Sequence, residues 1–235
     1  MLCYKGWLET RFRLLFTVGI TAFILSIQHS VHYATSARGR QVAILTIFGF
    51  VIPAVMVAIC AMLAGAGIDT QPTFQATKGL HGSTLFTLSL PVSRLRLLAV
   101  RSSIGWLEVA GSLTLLCGGI WLVTPLVRAT ATGTEMLKYS ATVLVCSSAV
   151  YFFSVLLGTV LDDQWRIYGT MIAAGALEWL SSHAPLPAFA DIFRAMGKGS
   201  PVIAHAMPWS AMGFSLGLSV LLFVAALKIA QAREY

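Results

Sequence analysis

Residues 79–101 read Gly79-Leu80-His81-Gly82-Ser83-Thr84-Leu85-Phe86-Thr87-Leu88-Ser89-Leu90-Pro91-Val92-Ser93-Arg94-Leu95-Arg96-Leu97-Leu98-Ala99-Val100-Arg101. The apolar part, residues 84–90, is far shorter than the roughly 20 residues that cross a bilayer as a helix. Pro91 ends it, and Arg94, Arg96 and Arg101 follow. Long hydrophobic runs lie on both sides. A short amphipathic piece held between membrane spans by positive charge belongs on the cytoplasmic face, where it can touch another protein.

The rest of the chain supports that setting. Of 235 residues, 57% are hydrophobic and only 11% charged, with a mean hydropathy of +0.80. A soluble domain carries about 25% charged residues. The apolar runs predict six transmembrane helices over residues 14–31, 42–66, 97–123, 139–161, 167–180 and 209–230. The fold class expected is an all-α polytopic membrane protein of one domain, with no internal repeat. Residues 1–13 carry Lys5, Trp7, Glu9, Arg11 and Arg13 in an amphipathic pattern, which predicts an interfacial helix anchored by Trp7. Glu9 argues against a cleaved signal peptide, so span 1 is expected to be retained. Pro53 predicts a kink in span 2. Residues 128–137 and 162–166 read as polar turns. Residues 181–208 hold four prolines around an apolar piece at 188–196, which reads as a surface cap, a re-entrant element, or a plain loop with one or two helical turns.

The net charge is +7. The basic residues sit at the ends of apolar runs, which points to topology and anionic lipid rather than nucleic acid. With the amino terminus inside, Lys5, Arg11, Arg13, Lys78, Arg94, Arg96, Arg101, Arg166, Lys228 and Arg233 face inward. Arg38, Arg40, Arg128, Lys138, Arg194 and Lys198 face outward. That is ten against six of the 16 basic residues, which has the sign of the positive-inside rule and puts both termini in the cytoplasm.

Leu88-Ser89-Leu90-Pro91-Val92-Ser93-Arg94, with Leu97, Leu98 and Arg101 behind it, resembles the first cytoplasmic loop of ABC-2 type ABC transporter permeases. The resemblance implies that Ser83, Thr84, Leu85, Phe86, Thr87, Leu88, Ser89, Leu90, Pro91 and Arg94 form a coupling helix and its exit. That helix would rest on a separate ATP-binding subunit. It further implies two such subunits per transporter, which carry the ATP and Mg, a second copy of this chain, and a bacterial-type cytoplasmic (inner) membrane. Export is the direction the family suggests. The interfacial helix and a re-entrant element between spans 5 and 6 agree with the same family. The chain itself has no Gly-rich phosphate loop, so it is expected to be non-catalytic and to hold no cofactor.

Two acids stand inside the spans. Glu108, in span 3, is costly in a bilayer and marks either a substrate pathway or an interfacial ion pair. Glu178, in span 5, reads as outer-interface or pathway-facing. An alternative function uses Glu108 with no ATPase partner, in a membrane-embedded enzyme or an ion-coupled carrier or channel. His29 with His32, and His205 with Met207, are too few for a metal site. Cys3, Cys60, Cys117 and Cys146 read as packing residues. Gly213 and Gly217 form a small-residue face with Ala211 and Ser219, expected to pack within the chain in preference to another copy.

Overall fold

A computed structural model describes residues 14–15, 17–22, 37–64, 94–161, 163–184 and 186–232. Residues 14–15 and 17–22 are helical. Then follow α1 (Ala37–Thr46), a π-helical turn (Ile47–Val51), α2 (Ile52–Leu63), α3 (Arg94–Val123), α4 (Pro125–Thr130), α5 (Gly133–Gly158), α6 (Asp163–His183), α7 (Ile192–Met196) and α8 (Trp209–Ala232). Among the described residues all regular structure is helical. Four helical stretches are long and apolar enough to cross a membrane: Gln41–Leu63, Leu98–Val123, Gly133–Gly158 and Trp209–Ala232.

α5 is the hub. It packs against α8, α3, α2 and α6. Its apolar window is 61% buried, against 28–39% for the other three. Small residues make this possible. Ser147, Ser148, Ala149 and Ser154 are buried along it, and Ser148 Oγ lies 2.6 Å from Ser219 Oγ on α8. Ser219 in turn donates to the Ser215 carbonyl at 2.6 Å. Ala211, Ser215, Ser219, Ala226 and Ala230 are the buried side of α8. Gly213 and Gly217 are exposed, and a Cβ on either would meet nothing within 4 Å. The expectation that these two glycines pack within the chain is therefore corrected. The packed face runs through 211, 215 and 219, two residues out of phase with them, and two residues on a helix are about 200° apart.

The turn expected at residues 128–137 shrinks to Ala131 and Thr132. α4 has Pro125 at its start, where a missing N–H costs nothing. Thr132 then opens α5 with a reciprocal capping box. The Glu135 amide donates to Thr132 Oγ1 at 3.3 Å, and the Thr132 amide donates to Glu135 Oε2 at 2.8 Å. The turn expected at residues 162–166 is likewise mostly helix, since α6 begins at Asp163. α6 covers the expected fifth span but is not among the four apolar stretches. Of the first span only residues 14–15 and 17–22 are described. The interfacial helix, residues 1–13, lies outside the described residues.

Around Pro53 the helix departs from regular α-geometry. Proline leaves the carbonyl four residues back without its helical donor and crowds it. The chain answers with the π-helical turn just ahead of it, in which the Ile52 amide bonds the Ile47 carbonyl. The freed carbonyl of Phe48 accepts the Tyr139 hydroxyl at 3.5 Å. The two rings meet edge to face at 4.8 Å.

Residues 186–208 hold one short helix among turns and irregular backbone. α7 is short, and Ile192, Phe193, Ala195 and Met196 are all buried. It packs on α5, α6, α8 and the π-helical turn. Asp191 caps it, accepting the Arg194 amide at 2.8 Å and the Ser181 hydroxyl of α6 at 2.7 Å. Gly197 lets it approach closely, since a Cβ there would lie 3.3 Å from the Gly49 Cα.

Candidate functional site: a buried polar junction

The bundle has two ends. At one, α2 finishes at Leu63, α3 begins at Arg94, α5 finishes and α6 begins. Segment 65–93 leaves and rejoins the bundle here. A polar junction is buried among these four helices.

Arg166 is its centre. The guanidinium is fully buried, one turn into α6. Its Nη1 donates to the Ala61 carbonyl of α2 at 2.8 Å and to Ser154 Oγ of α5 at 3.3 Å. The last carbonyls of a helix have no helical donor, so Arg166 closes the end of α2 from outside. The fork shape of arginine allows one side chain to serve several acceptors at once. Beside it, the Tyr151 hydroxyl of α5 donates to the Ser102 carbonyl of α3 at 2.7 Å. Gly105 of α3 sits under the same hydroxyl, and a Cβ there would also fall 2.7 Å from the Leu63 carbonyl. Only glycine lets α3, α5 and the end of α2 come this close. Trp106, Tyr151, Phe152 and Phe223 stack around the junction with centroids 5.2–6.3 Å apart.

Glu108 lies about one turn further along α3 than Gly105. Ten residues separate it from Leu98, about 15 Å along the axis. It is buried, with Ser112 buried one turn beyond. Glu178 is half-buried towards the other end of α6. α3 and α6 are not among the helix pairs that pack extensively, so the two acids do not form one site. Of the expected coupling residues, Ser83, Thr84, Leu85, Phe86, Thr87, Leu88, Ser89, Leu90 and Pro91 lie outside the described residues. So do Lys5, Trp7, Glu9, Arg11 and Arg13. Arg94 is the first residue of α3, so the arginine cluster begins inside this helix rather than ahead of it.

At the opposite end, His205 Nδ1 lies 2.8 Å from Glu135 Oε1. Glu135 thus serves two masters, with one oxygen on the α5 cap and the other on the loop behind α7. His205 has φ 52, the one left-handed non-glycine among the described residues.

Arg166 and Tyr151 were not legible as site residues. Arg166 reads as an ordinary boundary charge, and its burial follows only from where α2 ends. The Thr132-x-x-Glu135 box is a helix-start pattern that the polar-turn reading of residues 128–137 passed over. Cys60, Cys117 and Cys146 are free and buried. Among the described residues no three His, Cys, Asp or Glu side chains gather into a metal-holding group. His29 and His32 lie outside them.

No protein-family model, curated protein or solved structure matches this chain.

Proposed function

We propose that this chain is the membrane-spanning permease subunit of an ABC-2 type exporter, working as a pair of copies above two separate ATP-binding subunits. In this reading the four long apolar helices, α6 and residues 14–31 make six spans. α7 is the re-entrant element, residues 1–13 the interfacial helix, and residues 83–91 the coupling helix. The observation that carries the reading is the buried junction of Arg166, Tyr151 and Gly105. It ties together the helix ends from which segment 65–93 departs and to which it returns. A push on that segment by an ATP-binding partner would reach α2 and α3, and through Arg166 and Tyr151 also α5 and α6. Rigid helices joined by a packed, polar contact transmit displacement rather than absorb it. Both termini then face the cytoplasm.

The test is co-purification from a membrane extract, with wild type and with Leu88→Asp/Leu90→Asp. Wild type is expected to bring down an ATP-binding cassette subunit with ATPase activity, and the double variant to lose it while remaining folded. A well-folded wild-type protein without such a partner sinks the reading.

One observation favours a second reading, an ion-coupled carrier or channel or a membrane-embedded enzyme without an ATPase. Glu108 is buried well inside α3, where an acid is functional by default. That reading expects Glu108→Gln to abolish ion flux in proteoliposomes holding this chain alone, and unchanged flux would dismiss it.

A further inference from the structure

The π-helical turn leaves one carbonyl with two rival donors. In a regular α-helix an amide bonds the carbonyl four residues back, which for Ile52 is Phe48. Ile52 instead bonds Ile47, and the Tyr139 hydroxyl of α5 takes Phe48. The two arrangements exclude each other by rotation. Moving the Ile52 bond from Ile47 to Phe48 takes one residue out of the turn. One residue is about 100° of helix, so α1 would swing by that angle and carry the Phe48 carbonyl away from Tyr139. α2 would stay in place, because Arg166 bonds its other end through the Ala61 carbonyl.

Three contacts hold the wide form. Tyr139 and Phe48 are fully buried, and their rings meet edge to face at 4.8 Å beside the hydroxyl bond. Pro53 follows the turn, and in a regular helix its ring would crowd the Gly49 carbonyl. The third contact is α7. A Cβ on Gly197, which ends α7, would lie 3.3 Å from the Gly49 Cα, so the two backbones nearly touch. When the turn loses a residue, each place is taken by the next residue in sequence. Phe50, now 58% exposed, then moves towards the place of Gly49. A phenylalanine does not fit against Gly197 while α7 is seated.

We propose that the π-helical turn is a two-state joint latched by Tyr139 and by α7. In the wide form Tyr139 bonds Phe48 and α7 sits on Gly49. In the closed form Ile52 bonds Phe48, α1 is turned about the axis of α2, and α7 lifts from the turn. The two latches therefore open together, since a packed contact has discrete arrangements rather than a continuous range. That the joint moves during transport rests on the permease reading above; the joint itself does not.

The experiment uses the full chain in nanodiscs with no ATP-binding subunit. Nitroxide labels are placed at Val42→Cys on α1 and Leu216→Cys on α8, both exposed positions, in a Cys3→Ser background. Cys60, Cys117 and Cys146 are buried, and a parent without the two added cysteines gives the background labelling. Labelled chains are diluted with unlabelled ones, and distances are read by pulsed electron resonance. A label on a helix about 10–12 Å wide moves by about 8 Å when the helix turns by about 100°. Wild type is expected to show mainly one distance. Tyr139→Phe, which keeps the ring, raises the share of a second distance by about three- to tenfold, the worth of one hydrogen bond. Adding Pro53→Ala makes the second distance the main one, and hydrogen exchange over residues 192–204 quickens in step. A control pair at Leu137→Cys and Leu216→Cys, on α5 and α8, keeps its distance throughout. A single unchanged distance in Tyr139→Phe/Pro53→Ala overturns the joint. If that variant does not fold, Pro53→Ala alone decides, and its showing only the wild-type distance overturns the joint equally. Movement of the control pair overturns it in favour of a general loosening of the bundle. A second distance with unchanged exchange over residues 192–204 overturns the latch by α7. Failure to co-purify an ATP-binding subunit removes the role in transport and leaves these distances as they are.

Discussion

Arg166 is buried without being near the middle of its helix, and what it touches explains why. It supplies the donor that the Ala61 carbonyl lacks at the end of α2 and bonds Ser154 of α5 as well. Arg166→Leu strands a buried acceptor, which costs about 1–3 kcal/mol. We expect a lower thermal unfolding midpoint in detergent, with Arg166→Lys falling between it and wild type. A leucine variant that melts with wild type would show that the guanidinium holds nothing. Gly105 makes a second test. Gly105→Ala drives a methyl into the Tyr151 hydroxyl and towards the Leu63 carbonyl, an overpacking worth about 1–3 kcal/mol. Tyr151→Phe removes one of those two obstacles. The double variant is therefore expected to lose less than the sum of the singles, read as a coupling energy in a double-mutant cycle. Strict additivity would mean that the two side chains do not meet.

At the scale of the element, α5 carries the largest share of the packing, and its start is unusually well determined. Glu135 closes the capping box with one oxygen and holds His205 with the other. Glu135→Ala removes both the acceptor of the Thr132 amide and the partner of His205, while His205→Ala removes only the second. An exposed ion pair is worth about 0–1 kcal/mol, and His205 also holds a left-handed backbone. Glu135→Ala is thus expected to destabilise more than His205→Ala. His205→Ala should show mainly as faster hydrogen exchange over residues 197–208, behind α7. The reverse order of stability would put the loop contact above the cap. The π-helical turn and Pro53 belong to this scale too. The turn gives Tyr139 a carbonyl to bond, and Gly49 within it lies against Gly197 behind α7.

Across the whole molecule, α8 shows two different faces. The face through Ala211, Ser215 and Ser219 is packed on α5, while Gly213 and Gly217 look outward beside Leu216, Val220 and Leu221. Ser215→Leu is expected to cost about 1–3 kcal/mol by overpacking and to lower the yield of folded protein. Gly217→Leu should leave the melting midpoint of a single copy unchanged. Size-exclusion and thermal unfolding on both variants check this. Destabilisation by Gly217→Leu alone, with no change in oligomeric state, would contradict the packing of α8. Loss of self-association by Gly217→Leu would identify the outward face as the contact between copies.

Hydrophobic runs at bilayer length are set by local composition. For that reason the all-helical, membrane-crossing character of the chain, the positions of its long helices and the disturbance at Pro53 could be read from residues alone. Glu108 stood out in the same way, as an acid where acids are costly, and it is buried. The phase of each helix against its neighbours is not local. Gly213 with Gly217 and Ala211 with Ser215 are equally good small-residue pairs on paper. Only the docking of α8 on α5 chooses between them. Residues 162–166 likewise look like a charged turn until α2 ends beside them. The carbonyl of Ala61, 105 positions away, then makes Arg166 an interior residue. Side-chain chemistry determined which stretches are apolar and long enough to cross a membrane, and tertiary packing alone decided which polar groups would meet, because a buried hydrogen bond between helices needs a partner that another helix supplies.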